Sequence, residues 1–148
     1  MDIIFLGTSA MVPTAERNHP AILLSYENDK ILIDCGENTQ RQLKIAKISA
    51  NKITKLLITH WHGDHVLGIP GLVQTLAASD YNKTLEIYGP VHSNIFFENM
   101  LTTYFLKGKI KVKVYEIKRD GTFLKTKNYE ISARALKHNK TPCIAYSF

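Results

Sequence analysis

The sequence predicts a mixed α/β (α+β) domain in which helices cover one face of a sheet and a second sheet covers the other face. Strand-like apolar runs alternate with helical patterns in the first part of the chain, and strand-like runs dominate the remainder. The composition is that of a globular protein, with 45% hydrophobic and 22% charged residues. A disordered or low-complexity chain is therefore excluded.

The length and the ends of the chain set limits on its class. With 148 residues, the chain can form one domain with a real core, which we expect to span 1–148. No apolar run approaches the roughly 20 residues that cross a bilayer, and the amino terminus lacks the basic segment of a signal peptide. Cys35 and Cys143 follow no paired motif and adjoin apolar runs. We therefore expect two buried free thiols in a reducing cytoplasm, with no membrane partner.

The first half of the chain contains the strands and the helix of a layered sheet. Four apolar runs have strand length and are separated by turn residues: 3–6, 21–26, 30–34 and 53–58. The second and third runs are joined by a short polar segment and predict a hairpin. Asn38 or Thr39 is a suitable cap for a helix that continues through Ile45.

The middle of the chain predicts two helices around a strand. Apolar residues at helical spacing follow Asp64, which predicts a helix capped by Asp64, although Pro70 and Gly71 disturb its first turns. The run 85–88 predicts a strand. Residues 91–106 then predict a helix with an aromatic face.

The last third predicts strands only. Residues 110–117 and 122–125 predict a hairpin around an Asp-Gly turn. Residues 129–136 and 144–148 predict two further strands, which flank a loop that contains His138.

The densest chemical signal is the segment Thr59-His60-Trp61-His62-Gly63-Asp64-His65, which follows the predicted strand 53–58. Neutral imidazole and carboxylate suit divalent transition metals, zinc above all. Two histidines separated by one residue in extended backbone point to the same side. The alternative, a polar loop of solvated histidines, is improbable at this density and order. Four potential ligands on so short a loop indicate two adjacent metal ions.

Charge is distributed unevenly along the chain. Residues 1–100 hold 8 basic and 10 acidic side chains, whereas residues 101–148 hold 11 basic and 3 acidic ones. A polyanionic partner such as nucleic acid fits this excess, and a solvated lysine face explains it equally well. Lysines alternate with other residues between Lys107 and Lys113, as they do on a half-buried edge strand.

Short motifs in a fixed order relate the chain to a known family. They are Phe5-Leu6-Gly7-Thr8-Ser9, Pro13-Thr14, Arg17-Asn18, Ile33-Asp34-Cys35-Gly36-Glu37, Thr39-Gln40, the histidine loop, Gly89-Pro90 and His138. Together they resemble the tRNase Z family of tRNA 3′-processing endonucleases in the metallo-β-lactamase superfamily. The histidine loop alone identifies only the superfamily. The Asp-Cys-Gly-Glu and Gly-Thr-Ser segments narrow the resemblance to tRNase Z and its close relatives.

This resemblance implies a fold, a cofactor and a set of site residues. The fold would be a metallo-β-lactamase αββα sandwich, and a complete active site would hold two zinc ions. His60, His62 and His138 would bind one zinc, and Asp64 and His65 would bind the other. Asp64 would also accept a proton from the attacking water.

The same resemblance implies an activity and partners. The protein would be a zinc-dependent endoribonuclease that removes the 3′ trailer from precursor tRNA, leaving a 3′-hydroxyl on the tRNA and a 5′-phosphate on the trailer. A homodimer is also expected.

Asp34 would lie behind the ligands, where a carboxylate orients an imidazole. We expect His19 and His92 to be non-ligands, and Cys35 to serve in packing.

The chain also departs from the family pattern. The family runs to about twice this length and adds a bridging aspartate, a last histidine ligand and an arm that grips tRNA, so we expect only the N-terminal half here. Two alternatives therefore remain. The chain is either a catalytically incomplete metal-binding half-domain or part of another phosphodiesterase with the same metal loop.

Overall fold

The computed structural model describes residues 1–148 as two β-sheets with helices on the outer face of the larger sheet. The nine strands are β1 (Asp2–Gly7), β2 (Ala21–Tyr26), β3 (Asp29–Ile33), β4 (Ile53–Leu57), β5 (Thr84–Gly89), β6 (Lys111–Glu116), β7 (Gly121–Lys125), β8 (Glu130–Leu136) and β9 (Cys143–Ser147). The helices are α1 (Thr39–Ile45), α2 (Gly63–Val66), α3 (Ile69–Ala77) and α4 (Ser93–Thr103), with a 3₁₀ turn at Ala50–Lys52. No helix is both long and apolar enough to span a bilayer.

The larger sheet has the strand order β1-β2-β3-β4-β5-β6. Strands β1 to β3 pair antiparallel, whereas β3 to β6 pair parallel through the helical connections. Parallel strands that are buried on both faces are made of nearly continuous apolar runs, which is why residues 53–58 lack polar alternation. The loops that follow β3, β4 and β5 therefore meet at one edge of the sheet, where ligands bind in open α/β sheets.

Two apolar layers hold the domain together, as the predicted layered architecture requires. The layer between the larger sheet and the helices contains 19 buried residues, including Leu56, Ile87 and Leu72. A smaller layer between the two sheets contains five, with Leu57 from β4 and Ile131 from β8. The predicted layering is confirmed.

A second set of contacts joins the smaller sheet, β7-β8-β9, to the end of β4. The Tyr146 hydroxyl on β9 donates to the Ile58 carbonyl at 2.7 Å, and the Ile144 amide donates to the Thr59 carbonyl at 2.9 Å. These bonds bring the loop between β8 and β9, which contains His138, next to the histidine loop after β4.

Three sequence predictions of secondary structure are wrong, and the first concerns residues 110–125. Residues 110–125 form no hairpin, because β6 pairs parallel with β5 in the larger sheet and β7 pairs with β8 in the smaller one. The Asp-Gly turn instead carries the chain between sheets, and the Asp120 side chain accepts from the Ala135 amide at 2.8 Å.

The helix predicted from Asp64 is two helices, α2 and α3, and its first cap is His62 rather than Asp64. Pro70 lies in the first turn of α3, where a missing N–H is tolerated, and it cannot continue α2. Helix α4 is also shorter than predicted. Of its expected aromatic face only Phe97 is buried, while Phe96 and Tyr104 are exposed.

Gly68 packs the start of α3 against the turn after β3. A Cβ at this position would lie 1.9 Å from the carbonyl oxygen of Gly36. We expect Gly68→Ala to lower the free energy of unfolding by about 1–3 kcal/mol through overpacking, measured by urea denaturation.

Gly63→Ala is the matched control for this prediction. Its Cβ would meet only the exposed Leu67 side chain, at 3.2 Å. Its stability should stay within about 0.5 kcal/mol of the wild type, as for surface substitutions. Equal stability of the two variants would contradict the packing described for Gly68.

Candidate metal centre

Three histidines from two loops converge at the carboxyl end of β4. Single nitrogen atoms of His60, His62 and His138 all lie within 4.8 Å of one another. His60 Nε2 is 3.1 Å from His62 Nδ1, and His138 Nε2 is 3.4 Å from the same atom. The structure thus brings together residues that are 76 positions apart in the sequence.

The Asp34 carboxylate organises the base of this cluster. Asp34 follows β3 with a left-handed backbone (φ 57°), a conformation that Asp tolerates better than most residues. It accepts hydrogen bonds from the Thr59 amide (2.8 Å), the Thr59 hydroxyl (2.8 Å) and His65 Nδ1 (2.7 Å). A buried carboxylate with three donors is well satisfied, and it fixes the orientation of each donor.

These bonds determine which ring nitrogen of His60 carries hydrogen. The Thr59 hydroxyl has one proton and gives it to Asp34, so it can only accept from His60 Nδ1, 2.9 Å away. His60 Nε2 therefore presents a lone pair to the cluster. The same reasoning applies to His65, whose Nδ1 donates to Asp34, so that Nε2 of the neutral ring carries a lone pair and faces Asp64.

The electrostatics of the two imidazoles differ. Burial, together with the neighbouring His65, lowers the pKa of His60 to about 4, so this ring is neutral near pH 7. Burial opposes protonation of His65 as well. There the hydrogen bond to Asp34 and the negative charges of Asp34 and Asp64 together outweigh the burial and raise the pKa of His65 above its ordinary value.

Asp64 and His65 lie beside the three-histidine cluster, not within it. Asp64 Oδ2 is 3.5 Å from His65 Nε2, and the His65 ring centre is 4.1 Å from that of His60. A cavity of about 320 Å³ opens next to these groups and is lined by Met11, His19, His62, Gly63, Asp64 and Leu67.

The donor set fits a divalent metal ion. Zinc–nitrogen bonds of 2.0–2.1 Å in a tetrahedron place ligand nitrogens about 3.4 Å apart, close to the separations in the cluster. His62 Nε2 lies 3.2 Å from the Thr141 hydroxyl, a partner that leaves Nδ1 available to an ion. The cluster thus offers three convergent nitrogens.

Other residues singled out in the sequence lie elsewhere. His19 is buried outside the cluster, with Nε2 3.3 Å from the Met11 carbonyl, and His92 begins α4. Cys35 and Cys143 are both free. Cys35 is buried as predicted, and burial raises the pKa of its thiol to about 12, whereas Cys143 is only half-buried.

Three site residues were missed by sequence reasoning. Thr59 links Asp34 to His60, Thr141 contacts His62, and Tyr146 ties β9 to β4. Thr59 had a usable signal, since it adjoins the first histidine of the loop at the end of a strand. Thr141 and Tyr146 had none, because their roles depend on how the two sheets pack.

A family model described as Anti-Pycsar protein Apyc1 matches residues 1–142. The chain belongs to that family. It is also similar to proteins named Ribonuclease Z, being 43% identical to that of Thermococcus kodakarensis over 148 residues and 43% identical to that of Methanocaldococcus jannaschii over 152. These matches cover the whole chain but 46% and 47% of the relatives, so the chain spans about half the length of the curated relatives it matches.

Solved structures agree with this relationship. The short form of human tRNase Z superposes with a TM-score of 0.89 at 30% identity, covering 99% of this chain and 64% of that one. A metallo-β-lactamase fold protein from Bacillus subtilis gives a TM-score of 0.79 at 22% identity, covering 97% and 55%. The resemblance to tRNase Z and the metallo-β-lactamase fold are confirmed. The fold and the histidine cluster indicate a metal-binding site.

We predict that Asp34→Asn lowers zinc affinity about 10–100-fold, because mutation of a residue that hydrogen-bonds to a metal-ligating side chain usually costs that much affinity. Asn keeps the left-handed backbone but puts an NH₂ group where Oδ2 accepted hydrogen bonds. Thr59 and His65 must then reverse their hydrogen bonds, which moves a proton onto Nε2 of His60 and of His65. Zinc titration by calorimetry measures the effect.

Asp29→Asn is the control for this prediction, because it makes the same chemical change at the other end of β3. Asp29 accepts from Tyr129 and Lys55, far from the histidines along the strand. Its zinc affinity should equal that of the wild type. If Asp34→Asn also bound zinc like the wild type, the orienting role of Asp34 would be wrong.

Proposed function

We propose that this chain is part of a zinc-dependent endoribonuclease that removes the 3′ trailer from precursor tRNA, leaving a 3′-hydroxyl on the tRNA and a 5′-phosphate on the trailer. The observation that carries the proposal is the convergence of His60, His62 and His138 in a chain 43% identical to proteins named Ribonuclease Z. The structural similarity to human tRNase Z supports the same substrate class.

The metal in this proposal is zinc, with two ions in a complete site. His60, His62 and His138 would hold one ion, and Asp64 and His65 would contribute to the second. Divalent ions, when bound, lower the pKa of coordinated water and neutralise charge that develops on phosphate. Asp34 would keep His60 and His65 in the ligand-ready tautomer, as described above.

Asp64 would handle the proton in this reaction. Asp64 lines the cavity beside His62, where a water that attacks the scissile phosphate would lie. A carboxylate that takes the water proton acts as a general base. The exposed side chains of Met11 and Leu67 border the same cavity.

The charge distribution supports a polyanionic substrate. The excess of 11 basic over 3 acidic residues lies in 101–148, and Lys111 and Lys113 are exposed on the edge strand β6. Such a surface favours binding of a phosphate backbone, and this binding should weaken steeply with salt.

We also propose a cytoplasmic homodimer, supported by the family resemblance and by exposed apolar side chains such as Phe5 and Val12.

Two alternatives remain, because the chain spans about half the length of its relatives and because the matching family model is described as Anti-Pycsar protein Apyc1. The chain alone would be a catalytically incomplete metal-binding half, or the whole protein would cleave another phosphodiester. Comparing precursor tRNA with small phosphodiesters as substrates of the full-length protein discriminates the second alternative. Counting bound zinc per chain tests the first, since two ions with turnover contradict an inert half.

We predict that His62→Ala and Asp64→Ala in the full-length protein each reduce cleavage of precursor tRNA by more than about 100-fold. Loss of a ligand should cost more than the 10–100-fold typical of its outer partners. Cleavage is measured on a radiolabelled precursor by gel electrophoresis.

His92→Asn is the matched control. His92 is exposed and lies outside the cluster, and Asn tolerates its left-handed backbone (φ 74°). Its activity should remain within about two-fold of the wild type, as for a surface change. Full activity in His62→Ala would refute the proposed site.

A further inference from the structure

Trp61 lies between two of the clustered histidines but points away from them. In extended backbone, successive side chains alternate sides, so the indole is directed opposite to the imidazoles of His60 and His62. It packs on α4, where its ring meets Phe96 edge to face at a centroid distance of 5.5 Å. The indole therefore belongs to the scaffold that supports the cluster.

A hydrogen bond fixes this indole to the start of α4. Trp61 Nε1 donates to Ser93 Oγ at 2.8 Å, and Ser93 Oγ donates in turn to the Pro90 carbonyl at 2.7 Å. Ser93 is fully buried. A Cβ on Gly89 would lie 2.4 Å from Ser93 Oγ, so the hydroxyl is held tightly against the end of β5.

The backbone around Trp61 has no comparable support. Thr59 is held by Asp34 and Ile144, and the His62 carbonyl accepts from the His65 amide. His60 and Trp61 make no backbone–backbone hydrogen bond. The bond from the indole to Ser93 is the one hydrogen bond that links these two residues to another helix or strand.

We propose that Trp61 and Ser93 are positioning residues, which hold the His60–His62 segment in its metal-binding geometry by fastening it to α4. This inference rests on the proposed metal site but not on the identity of the substrate. The end of β5, through Pro90 and Ser93, thereby supports ligands that follow β4.

The test uses two variants that break the bond from opposite sides. Ser93→Ala removes the acceptor, and Trp61→Phe removes the indole N–H while keeping an aromatic ring against Phe96. Each should weaken zinc binding at least about 10-fold, in the range for residues that orient ligands. Zinc affinity is measured by competition with a chromophoric chelator.

A double-mutant cycle separates positioning from general destabilisation. If both residues act through one bond, Ser93→Ala should cost little further affinity in the Trp61→Phe background. Tyr81→Phe is the matched control, because it deletes a 2.8 Å hydrogen bond to the Ile53 carbonyl at the far end of β4. Its zinc affinity should stay within about two-fold of the wild type.

A measurement without metal tests the Trp61–Ser93 anchoring independently of the proposed metal-dependent function. Trp61 is the only tryptophan, so its emission reports on this site alone. Without metal, Ser93→Ala should red-shift the emission and speed hydrogen exchange across residues 59–63, and Tyr81→Phe should do neither. Absence of zinc binding by the wild-type full-length protein would refute the proposed function, and the exchange result would then decide whether Ser93 anchors the 59–63 segment.

Two results would overturn the anchoring. One is wild-type zinc affinity in both Ser93→Ala and Trp61→Phe. The other is strictly additive losses in the double variant with unchanged exchange of the 59–63 segment.

Discussion

The buried carboxylate of Asp34 is the constraint on which the candidate site depends. Its three hydrogen bonds fix the end of β4 through the Thr59 amide and set the ring tautomers of His60 and His65. A metal ligand must present a lone pair rather than a proton, and these bonds place the proton on the far nitrogen of each ring. The site is therefore preorganised by the protein in the absence of an ion.

The packing of the two sheets contributes the third histidine. His138 belongs to the loop between β8 and β9, and no local pattern links it to the histidine loop. Bonds from Ile144 and Tyr146 to the end of β4 bring that loop over the cluster. Burial at this junction lowers the pKa of His60 to about 4, which favours the neutral ring with a lone pair to offer.

Much of the fold and the site could be predicted from local signals. The apolar run before Thr59 predicted the buried strand, and the spacing of His60, His62 and Asp64 predicted a metal-binding loop. The errors have a common cause. The Asp120-Gly121 turn specifies a reversal but not which sheet edge the next strand joins, and Pro70 leaves open whether a helix restarts. Thr141, Tyr146 and Ser93 could not be assigned roles, since their contacts arise only from tertiary packing.

We propose that His60, His62 and His138 bind one divalent ion through His60 Nε2, His62 Nδ1 and His138 Nε2. Anomalous diffraction from zinc-soaked crystals, collected on both sides of the zinc absorption edge, can detect that ion. We expect a peak about 2.0–2.1 Å from each of these three nitrogens. Ordered imidazoles with no anomalous peak between them, at a zinc concentration that saturates the protein in solution, would contradict it.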